Sequence, residues 1–273
     1  MTSEATPHDD LVAALRAAGC VYAEEEAALL RDAATSPGQL ARLRDRRVAG
    51  EPLEHVVGWA EFCGLRIEVG PGVFVPRPRS ELLVETATAL TREGAVVLDL
   101  CCGSGALGRA LAESVHRIEL YAADLDPDAV SFARRNLADL PRAEVFAGDL
   151  FAPLPADLRG RVDVLLCNVP YVPSRSIALM PTEARDHEPR LSLDGGEDGL
   201  DVLRRVLADA AAWLAPGGHL LVETSEAQAT TAVDLMTAAG LRPHVVRSDD
   251  LDATVVVAQS LTSPRSPAPP SRR

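Results

Sequence analysis

Lysine is absent from this chain, and all 27 basic residues are arginine. Without a lysine amine, catalysis through a lysine Schiff base is excluded. Cysteine is scarce: the five residues show no C-x-x-C spacing, which argues against a disulfide framework and against a zinc site. The chain has no apolar run of about 18 residues, and its first residues lack the basic segment and apolar stretch of a secretory signal. We therefore expect a cytoplasmic protein without a membrane segment or a bound metal.

Acidic residues outnumber basic ones by 40 to 27, and the formal net charge is −13. A charge of this sign repels the phosphates of free DNA or RNA unless a local basic face overrides it. Direct binding of nucleic acid is therefore not expected, and a protein or a small molecule fits better as the substrate. The 273 residues, 47% of them hydrophobic, suffice for one or two globular domains with a large core.

The first 78 residues predict a small helical domain followed by a hairpin. Residues 9–49 are rich in Ala, Leu, Glu and Arg, with apolar residues at helical spacing. Breaks at Gly19 and at Ser36-Pro37-Gly38 divide them into about three helices, and we place this domain at residues 1–60. From Glu61 to Pro76 the apolar residues alternate and glycines intervene, which predicts a β-hairpin linker over residues 61–78.

Residues 79–259 form the main predicted domain, in which apolar strands alternate with helical stretches after a helix from Ser80 to Leu90. This alternation is typical of an α/β fold with a parallel sheet and helices on both faces. The strand candidates are Val96–Leu100, Leu120–Asp124, Glu144–Ala147, Val162–Cys167, Leu220–Thr224, Val245–Arg247 and Thr254–Ala258. Because the link between the last two is too short for a parallel crossover, the last strand should run antiparallel. The tail, residues 260–273, is rich in Ser, Pro and Arg and is predicted to be disordered.

A glycine-rich loop from Cys101 to Gly105 follows the first of these strands and precedes a helix predicted to begin near Ala106. Its glycines would let the backbone approach a ligand closely. Three successive strand ends also carry carboxylates, namely Asp99, Asp124 and Asp149. Asp124 is placed to accept hydrogen bonds from both hydroxyls of a ribose. Together these features predict a nucleotide site at this edge of the sheet.

The same loop matches a dinucleotide motif, because Gly103 to Gly108 reads G-x-G-x-x-G and Asp124 follows about 20 residues on. An NAD-dependent oxidoreductase is therefore one alternative. The sign of the charge argues against it, since Asp99, directly before the loop, would face a pyrophosphate, whereas the acidic residues suit a cation. S-adenosyl-L-methionine, which carries a sulfonium and an ammonium group, is preferred as the cofactor.

The four residues Asn168-Val169-Pro170-Tyr171 end the strand candidate Val162–Cys167. Pro170 has no N–H to donate to a sheet, so the strand should stop at the edge where open α/β sheets bind their ligands. An Asn amide, a free backbone carbonyl and an aromatic ring side by side can hold a planar NH2 group. By themselves, the same residues also fit an ordinary turn after a strand.

These features together resemble the HemK/PrmC-type protein glutamine-N5 methyltransferases, and the resemblance runs from about Glu51 to Ala258. The segments that carry it, in chain order, are Glu51-Pro52-Leu53 with Gly58, Glu61-Phe62-Cys63-Gly64-Leu65, Val75-Pro76-Arg77-Pro78, Asp99 to Gly105, Asp124, Gly148-Asp149-Leu150-Phe151, Asn168-Val169-Pro170-Tyr171, His187-Glu188-Pro189-Arg190-Leu191 and Leu193 to Gly199. So many ordered matches make a chance likeness a poor explanation.

The resemblance implies a seven-stranded, Rossmann-like class I methyltransferase sheet behind a helical substrate-recognition domain. It further implies S-adenosyl-L-methionine as the methyl donor, and as the substrate a protein glutamine, such as that of the Gly-Gly-Gln motif of a peptide-chain release factor. The residues it assigns to catalysis are Asn168, Val169, Pro170 and Tyr171. Those it assigns to the cofactor are Asp99, Cys101, Gly103, Gly105, Asp124, Asp149, Leu150 and Asn168.

The chain also departs from the family pattern. Val169 replaces a proline, Cys101-Cys102 replaces Gly-Thr in the glycine-rich loop, and Arg79 replaces an acidic residue. After the fifth strand Glu223-Thr224-Ser225 replaces Glu-x-Gly, and Asp250-Leu251-Asp252 is what remains of a Gly-Arg-Asp motif. These changes indicate a divergent paralogue whose substrate can differ from a release factor. A methyltransferase acting on a small molecule or on an exocyclic amine of nucleic acid, and a non-catalytic binding protein, remain open alternatives.

Overall fold

The computed structural model describes residues 7–261, with side chains from residue 10 onward. Its N-terminal lobe consists of helices α1 (Pro7–Ala17), α2 (Ala23–Ala33), α3 (Pro37–Val48) and α4 (Leu53–Val57). The lobe has a hydrophobic core of its own, to which Leu15, Ala27 and Leu30 contribute. The short helix α4, which ends at Gly58 with a φ of 90°, is one more helix than the sequence predicted.

Strands β1 (Trp59–Phe62) and β2 (Leu65–Glu68) form an antiparallel hairpin after the lobe. The predicted hairpin extended to Pro76, and this was wrong, because residues 72–75 form no strand. The Val75 N–H donates to Glu188 Oε1 at 3.3 Å, and the Val73 carbonyl accepts from His55 Nε2 at 2.8 Å. Side chains from elsewhere therefore take the hydrogen bonds that a neighbouring strand would supply.

The larger unit is built on a seven-stranded sheet with the order β5-β4-β3-β6-β7-β9-β8. Its strands are β3 (Val96–Leu100), β4 (Glu119–Asp124), β5 (Ala143–Ala147), β6 (Val162–Cys167), β7 (Leu214–Thr224), β8 (Leu241–Ser248) and β9 (Ala253–Ser260). Strands β3 to β7 pair in parallel, and β9 runs antiparallel to both β7 and β8. The predicted α/β class and the reversed last strand are confirmed.

Five helices cover the two faces of the sheet, namely α5 (Glu81–Leu90), α6 (Ala106–Ser114), α7 (Pro127–Asn136), α10 (Asp201–Trp213) and α11 (Glu226–Ala238). Two short helices, α8 (Thr182–His187) and α9 (Arg190–Leu193), lie in the segment between β6 and α10. Successive residues of a strand face opposite sides, so Val164 and Leu166 pack with α5 and α6, whereas Leu165 and Cys167 pack with α10 and α11. Because both sides are buried, the strands read as continuous apolar runs. No helix within residues 7–261 is long and apolar enough to cross a bilayer.

Five of the seven strands have boundaries that differ from the predicted ones, and of these β4 and β5 begin one residue earlier. Strand β7 begins at Leu214 rather than Leu220, because Leu214 pairs with Val162 ahead of a shift in register, and the intervening Pro-Gly-Gly hid this start in the sequence. Strands β8 and β9 also extend beyond their predicted ends. Ser260, predicted to begin the disordered tail, ends β9, and residues 262–273 lie outside the described part of the chain.

Arg47 connects the N-terminal lobe to the larger unit. Its guanidinium, 8% exposed, bonds Glu26 of α2 through Nε at 2.6 Å, and Nη1 bonds Glu183 of α8 at 2.6 Å. A buried charge of this kind is tolerated only when it is paired and hydrogen-bonded. Arg47 thereby ties the lobe to the segment that follows the Asn168-Val169-Pro170-Tyr171 turn.

Candidate active site

A cavity of about 270 Å³ lies at the carboxyl edge of the sheet. Strand order reverses there, since β4 lies on one side of β3 and β6 on the other, and such a point is where open α/β sheets bind ligands. The residues that line it after strands β3 to β6 are Cys101, Cys102, Gly103, Ser104, Asp124, Leu125, Asp126, Asp149, Leu150, Asn168, Pro170, Tyr171 and Val172. The fold thus collects segments that are far apart in the sequence around one crevice.

The two glycines of the loop after β3 have different roles. Both have positive φ, 55° at Gly103 and 78° at Gly105. A Cβ at Gly103, which lines the cavity, would meet no atom within 4 Å. A Cβ at Gly105, which caps α6 and does not line the cavity, would lie 3.3 Å from Ala133 and Leu137. Gly103 therefore keeps the backbone accessible to a ligand, and Gly105 allows α6 and α7 to pack.

Asp99 lies behind this loop and is fully buried. Its Oδ2 accepts from the Gly108 N–H at 3.0 Å, and its Oδ1 has no hydrogen-bond partner among the described residues. A Cβ at Gly108 would lie 3.0 Å from Leu120 and 3.2 Å from Asp99. Asp99 and Gly108 thus fix α6 against the sheet, and the contact between Asp99 and a ligand stays a prediction.

Burial raises the pKa of Asp99 to about 7, with a further contribution from Asp124, although the hydrogen bond from Gly108 lowers it. The folded state therefore holds this proton more tightly than the unfolded chain does, and the stability that results is lost as the pH rises from about 4 towards 7. We expect Asp99→Asn to flatten the pH dependence of the unfolding midpoint in that window. An unchanged pH profile in the variant would mean that Asp99 is not the group responsible.

Asp124 stands at the end of β4 on the cavity wall. Its Oδ2 accepts from the Gly103 N–H at 2.8 Å, and its Oδ1 accepts from the Asp126 N–H at 2.9 Å. Each carboxylate oxygen can accept a second hydrogen bond, so Asp124 can bind two ligand hydroxyls while it holds the loop after β3. Burial raises its pKa, and the backbone hydrogen bonds lower it.

The third acidic strand end is neutralised by an arginine. Asp149 lies 2.6 Å from Arg205 of α10, and both side chains line the cavity. Leu150, next to it, has a φ of 47° and also faces the cavity. The row of three free carboxylates expected from the sequence is therefore reduced to Asp124, because Asp99 is enclosed and Asp149 is paired.

The cysteines near the loop are protonated packing residues. Cys101 has a φ of 55° and lines the cavity, and Cys102 is buried. Burial raises the pKa of both thiols, and the neighbouring carboxylates raise it further. A thiol held in this form is a weak nucleophile.

Of the four residues Asn168 to Tyr171, Asn168, Pro170 and Tyr171 line the cavity. Asn168 Nδ2 donates to Ser80 Oγ at 3.1 Å, and the Tyr171 hydroxyl donates to Glu223 Oε1 at 2.9 Å. Val169 is 2% exposed, packs in the core and does not itself line the cavity. Its carbonyl accepts no hydrogen bond from the described residues. The turn therefore has an unused backbone acceptor beside the Asn168 amide.

Two glycines of the loop after α9 hold the turn in place. A Cβ at Gly195 would lie 2.7 Å from the Pro170 carbonyl, and one at Gly199 would lie 2.2 Å from the Tyr171 carbonyl. The Gly195 N–H donates to the Val172 carbonyl at 2.9 Å. Only glycine fits this close approach, which accounts for the glycines of the segment Leu193 to Gly199.

Sequence reasoning missed two polar residues of this site, Ser80 and Glu223. Both are 2% exposed, and they are the partners of Asn168 and Tyr171. The pairing of β6 with β7 could have revealed Glu223. Cys167 pairs with Val222, and the residues that follow them, Asn168 and Glu223, therefore lie at the same level. Ser80 left no comparable signal, because the turn that carries it belongs to no strand.

Comparison with known proteins shows the family of this chain. The family model of the methyltransferase small domain matches residues 65–183. The release factor glutamine methyltransferase of Streptomyces coelicolor is 44% identical over 187 residues, which are 67% of this chain and 66% of that protein. The protein of the same description from Bifidobacterium longum is 36% identical over 256 residues, 87% of this chain and 86% of that protein.

Solved structures share the fold. A methyltransferase from Pyrococcus furiosus has a TM-score of 0.56 at 18% identity and covers 80% of this chain and 98% of its own. The T. thermophilus 16S rRNA N2 G1207 methyltransferase, solved with AdoMet and guanosine, has a TM-score of 0.54 at 22% identity. The match covers 74% of this chain and 49% of that chain. The seven-stranded sheet is thus a Rossmann-like class I methyltransferase sheet, and the chain belongs to the family of S-adenosyl-L-methionine-dependent release factor glutamine methyltransferases.

Proposed function

We propose that this protein transfers a methyl group to the side-chain nitrogen of a glutamine in a peptide-chain release factor. The observation that carries the proposal is the Asn168 amide, which lies on the wall of the cavity that Gly103 and Asp124 also line. The next residue, Val169, has a carbonyl that accepts no hydrogen bond from the described residues. Two acceptors at this point suit the two hydrogens of a primary amide. The relatives described above support the same substrate.

The residues present fit S-adenosyl-L-methionine, which supplies an electrophilic methyl group on a sulfonium when bound. Asp124 has two lone pairs left for ribose hydroxyls, and Gly103 leaves room for the ligand at the backbone. Leu125 and Leu150 offer apolar surface to a base. The departures from the family at Cys101 and Cys102 replace the first glycine of this loop but keep Gly103 and Gly105.

An amide nitrogen is a poor nucleophile, because its lone pair is delocalised into the carbonyl. The residues of the turn act on this nitrogen by orientation and by charge. Asn168 Oδ1 and the Val169 carbonyl accept its two hydrogens, and the Tyr171 ring, fixed by its bond to Glu223, forms the adjoining wall. These acceptors stabilise the positive charge that develops on nitrogen, and the proton leaves afterwards, so the site needs no general base. Pro170 keeps the turn outside the sheet.

The test is methyl transfer from isotopically labelled S-adenosyl-L-methionine to a purified release factor, with the labelled residue identified by mass spectrometry. The matched control is the same release factor with its Gly-Gly-Gln glutamine changed to asparagine. Label on that glutamine, lost in the control, supports the proposal. Label on another protein of a bacterial lysate, with none on the release factor, would instead favour the divergent paralogue. We further propose the cytoplasm as the compartment, since the substrate acts there.

A further inference from the structure

Glu223 is a buried carboxylate for which the proposed transfer requires no chemical step. It lies on β7 at the level of Asn168, because Cys167 and Val222 pair directly before them. Its Oε1 accepts from the Tyr171 hydroxyl, and its Oε2 is enclosed without a hydrogen-bond partner among the described residues. A buried carboxylate with an unfilled acceptor calls for an explanation.

Ser80 lies next to both Asn168 and Glu223. Its hydroxyl accepts from Asn168 Nδ2 at 3.1 Å and lowers the pKa of Glu223, but the described structure contains no hydrogen bond between Ser80 and Glu223. Burial raises the pKa of Glu223, whereas the Ser80 and Tyr171 hydroxyls and the Arg79 guanidinium lower it. Of these three groups, the Tyr171 hydroxyl is hydrogen-bonded to the carboxylate.

The protons of this network can be ordered in one consistent way. An ionised carboxylate only accepts hydrogen bonds, and a serine hydroxyl has a single proton. If Ser80 donates that proton to Glu223, the Ser80 oxygen can only accept a hydrogen bond from Asn168. The NH2 group of Asn168 then faces Ser80, and Asn168 Oδ1 stays available for another donor. If a hydrogen-bond donor replaced the Glu223 carboxylate, Ser80 could donate its proton to Asn168 instead. The side-chain amide of Asn168 could then flip, so that Oδ1 faces Ser80.

We propose that Glu223 is a positioning residue, whose carboxylate orients the Ser80 and Tyr171 hydroxyls so that Asn168 presents its amide oxygen to the substrate. This inference rests on the proposed function for its meaning in catalysis, but the orientation of Asn168 can be measured without turnover. Glu223→Gln keeps the size of the side chain and adds an NH2 donor. Ser80→Ala removes the link, and Ser80→Thr keeps the hydroxyl.

The spectroscopic test uses the fact that the chain has only two asparagines, Asn136 and Asn168. Protein labelled with ¹⁵N-asparagine gives two side-chain NH2 signals, and Asn168→Asp assigns them by removing one. We expect the Asn168 NH2 protons to lose their protection from solvent exchange and to shift in Glu223→Gln and Ser80→Ala, but not in Ser80→Thr. Asn136, bonded to Glu68 and Ser104, should stay unchanged in all of them. Asn168 signals that are the same in Glu223→Gln as in the unmodified protein would overturn the proposal.

The kinetic test separates positioning from a general loss of structure. We expect Glu223→Gln and Ser80→Ala to lower kcat roughly 10-fold or more, with KM for S-adenosyl-L-methionine unchanged and activity retained in Ser80→Thr. The control is Thr254→Val, which changes another buried polar side chain on the adjacent strand β9 and should leave kcat unchanged. An unmodified protein that methylates nothing would refute the proposed function, whereas the NMR result would still decide the role of Glu223.

Discussion

Asn168→Ala is expected to lower kcat for methyl transfer roughly 10²–10³-fold, the range seen when one preorganised electrostatic contact is removed from an active site. In the proposed mechanism, the Asn168 oxygen is one of two acceptors that hold the amide nitrogen in line with the methyl group. Its loss leaves the Val169 carbonyl alone and the amide free to rotate. The measurement is single-turnover transfer of a labelled methyl group to the release factor.

Binding of the donor should be intact in this variant. Asn168 bonds Ser80 at 3.1 Å, so its removal costs about 0.5–1.5 kcal/mol of stability, and a calorimetric titration with S-adenosyl-L-methionine should give the affinity of the unmodified protein. Turnover close to that of the unmodified protein would remove Asn168 from the mechanism.

Asp124→Ala is expected to weaken the binding of S-adenosyl-L-methionine at least roughly 100-fold, which corresponds to at least about 2.7 kcal/mol. Two hydrogen bonds to a charged acceptor are lost, each contributing about 1.5–3 kcal/mol, and the Gly103 and Asp126 N–H groups lose the acceptor that orders the loop after β3. The change should therefore appear in the dissociation constant more than in kcat at saturating donor. Isothermal titration calorimetry measures it directly.

Asp128→Ala is the matched control, since it removes the same charge from an exposed position four residues away that does not line the cavity. Its affinity for the donor should stay close to that of the unmodified protein. Equal affinities in Asp124→Ala and in the unmodified protein would contradict the ribose role of Asp124.

Local patterns were enough to predict the sheet and the position of the cavity. A parallel strand buried on both sides is a continuous apolar run, so β3 and β6 were predicted with their observed ends. The carboxyl ends of such strands meet at one edge, and Asp124, Leu150 and Asn168 all line the cavity there.

The parts that the sequence did not predict depend on long-range contacts. Arg47 bonds Glu183, which lies 136 residues further along the chain, and no local pattern indicates such a pair. Asp99 lies directly before the glycine-rich loop, but its burial follows from the packing of α6 on β3. Residues 72–75 alternate like a strand, yet their hydrogen bonds go to Glu188, to His55 and to the Gly70 carbonyl. In each case a tertiary contact overrode the local signal.

A crystal structure of the protein with S-adenosyl-L-homocysteine and a glutamine-containing peptide tests the central claim most directly. The account predicts the nucleoside against Asp124 and Gly103, and the glutamine nitrogen within about 3.2 Å of both Asn168 Oδ1 and the Val169 carbonyl. A nucleoside bound elsewhere, or a glutamine side chain that contacts neither acceptor, would contradict it.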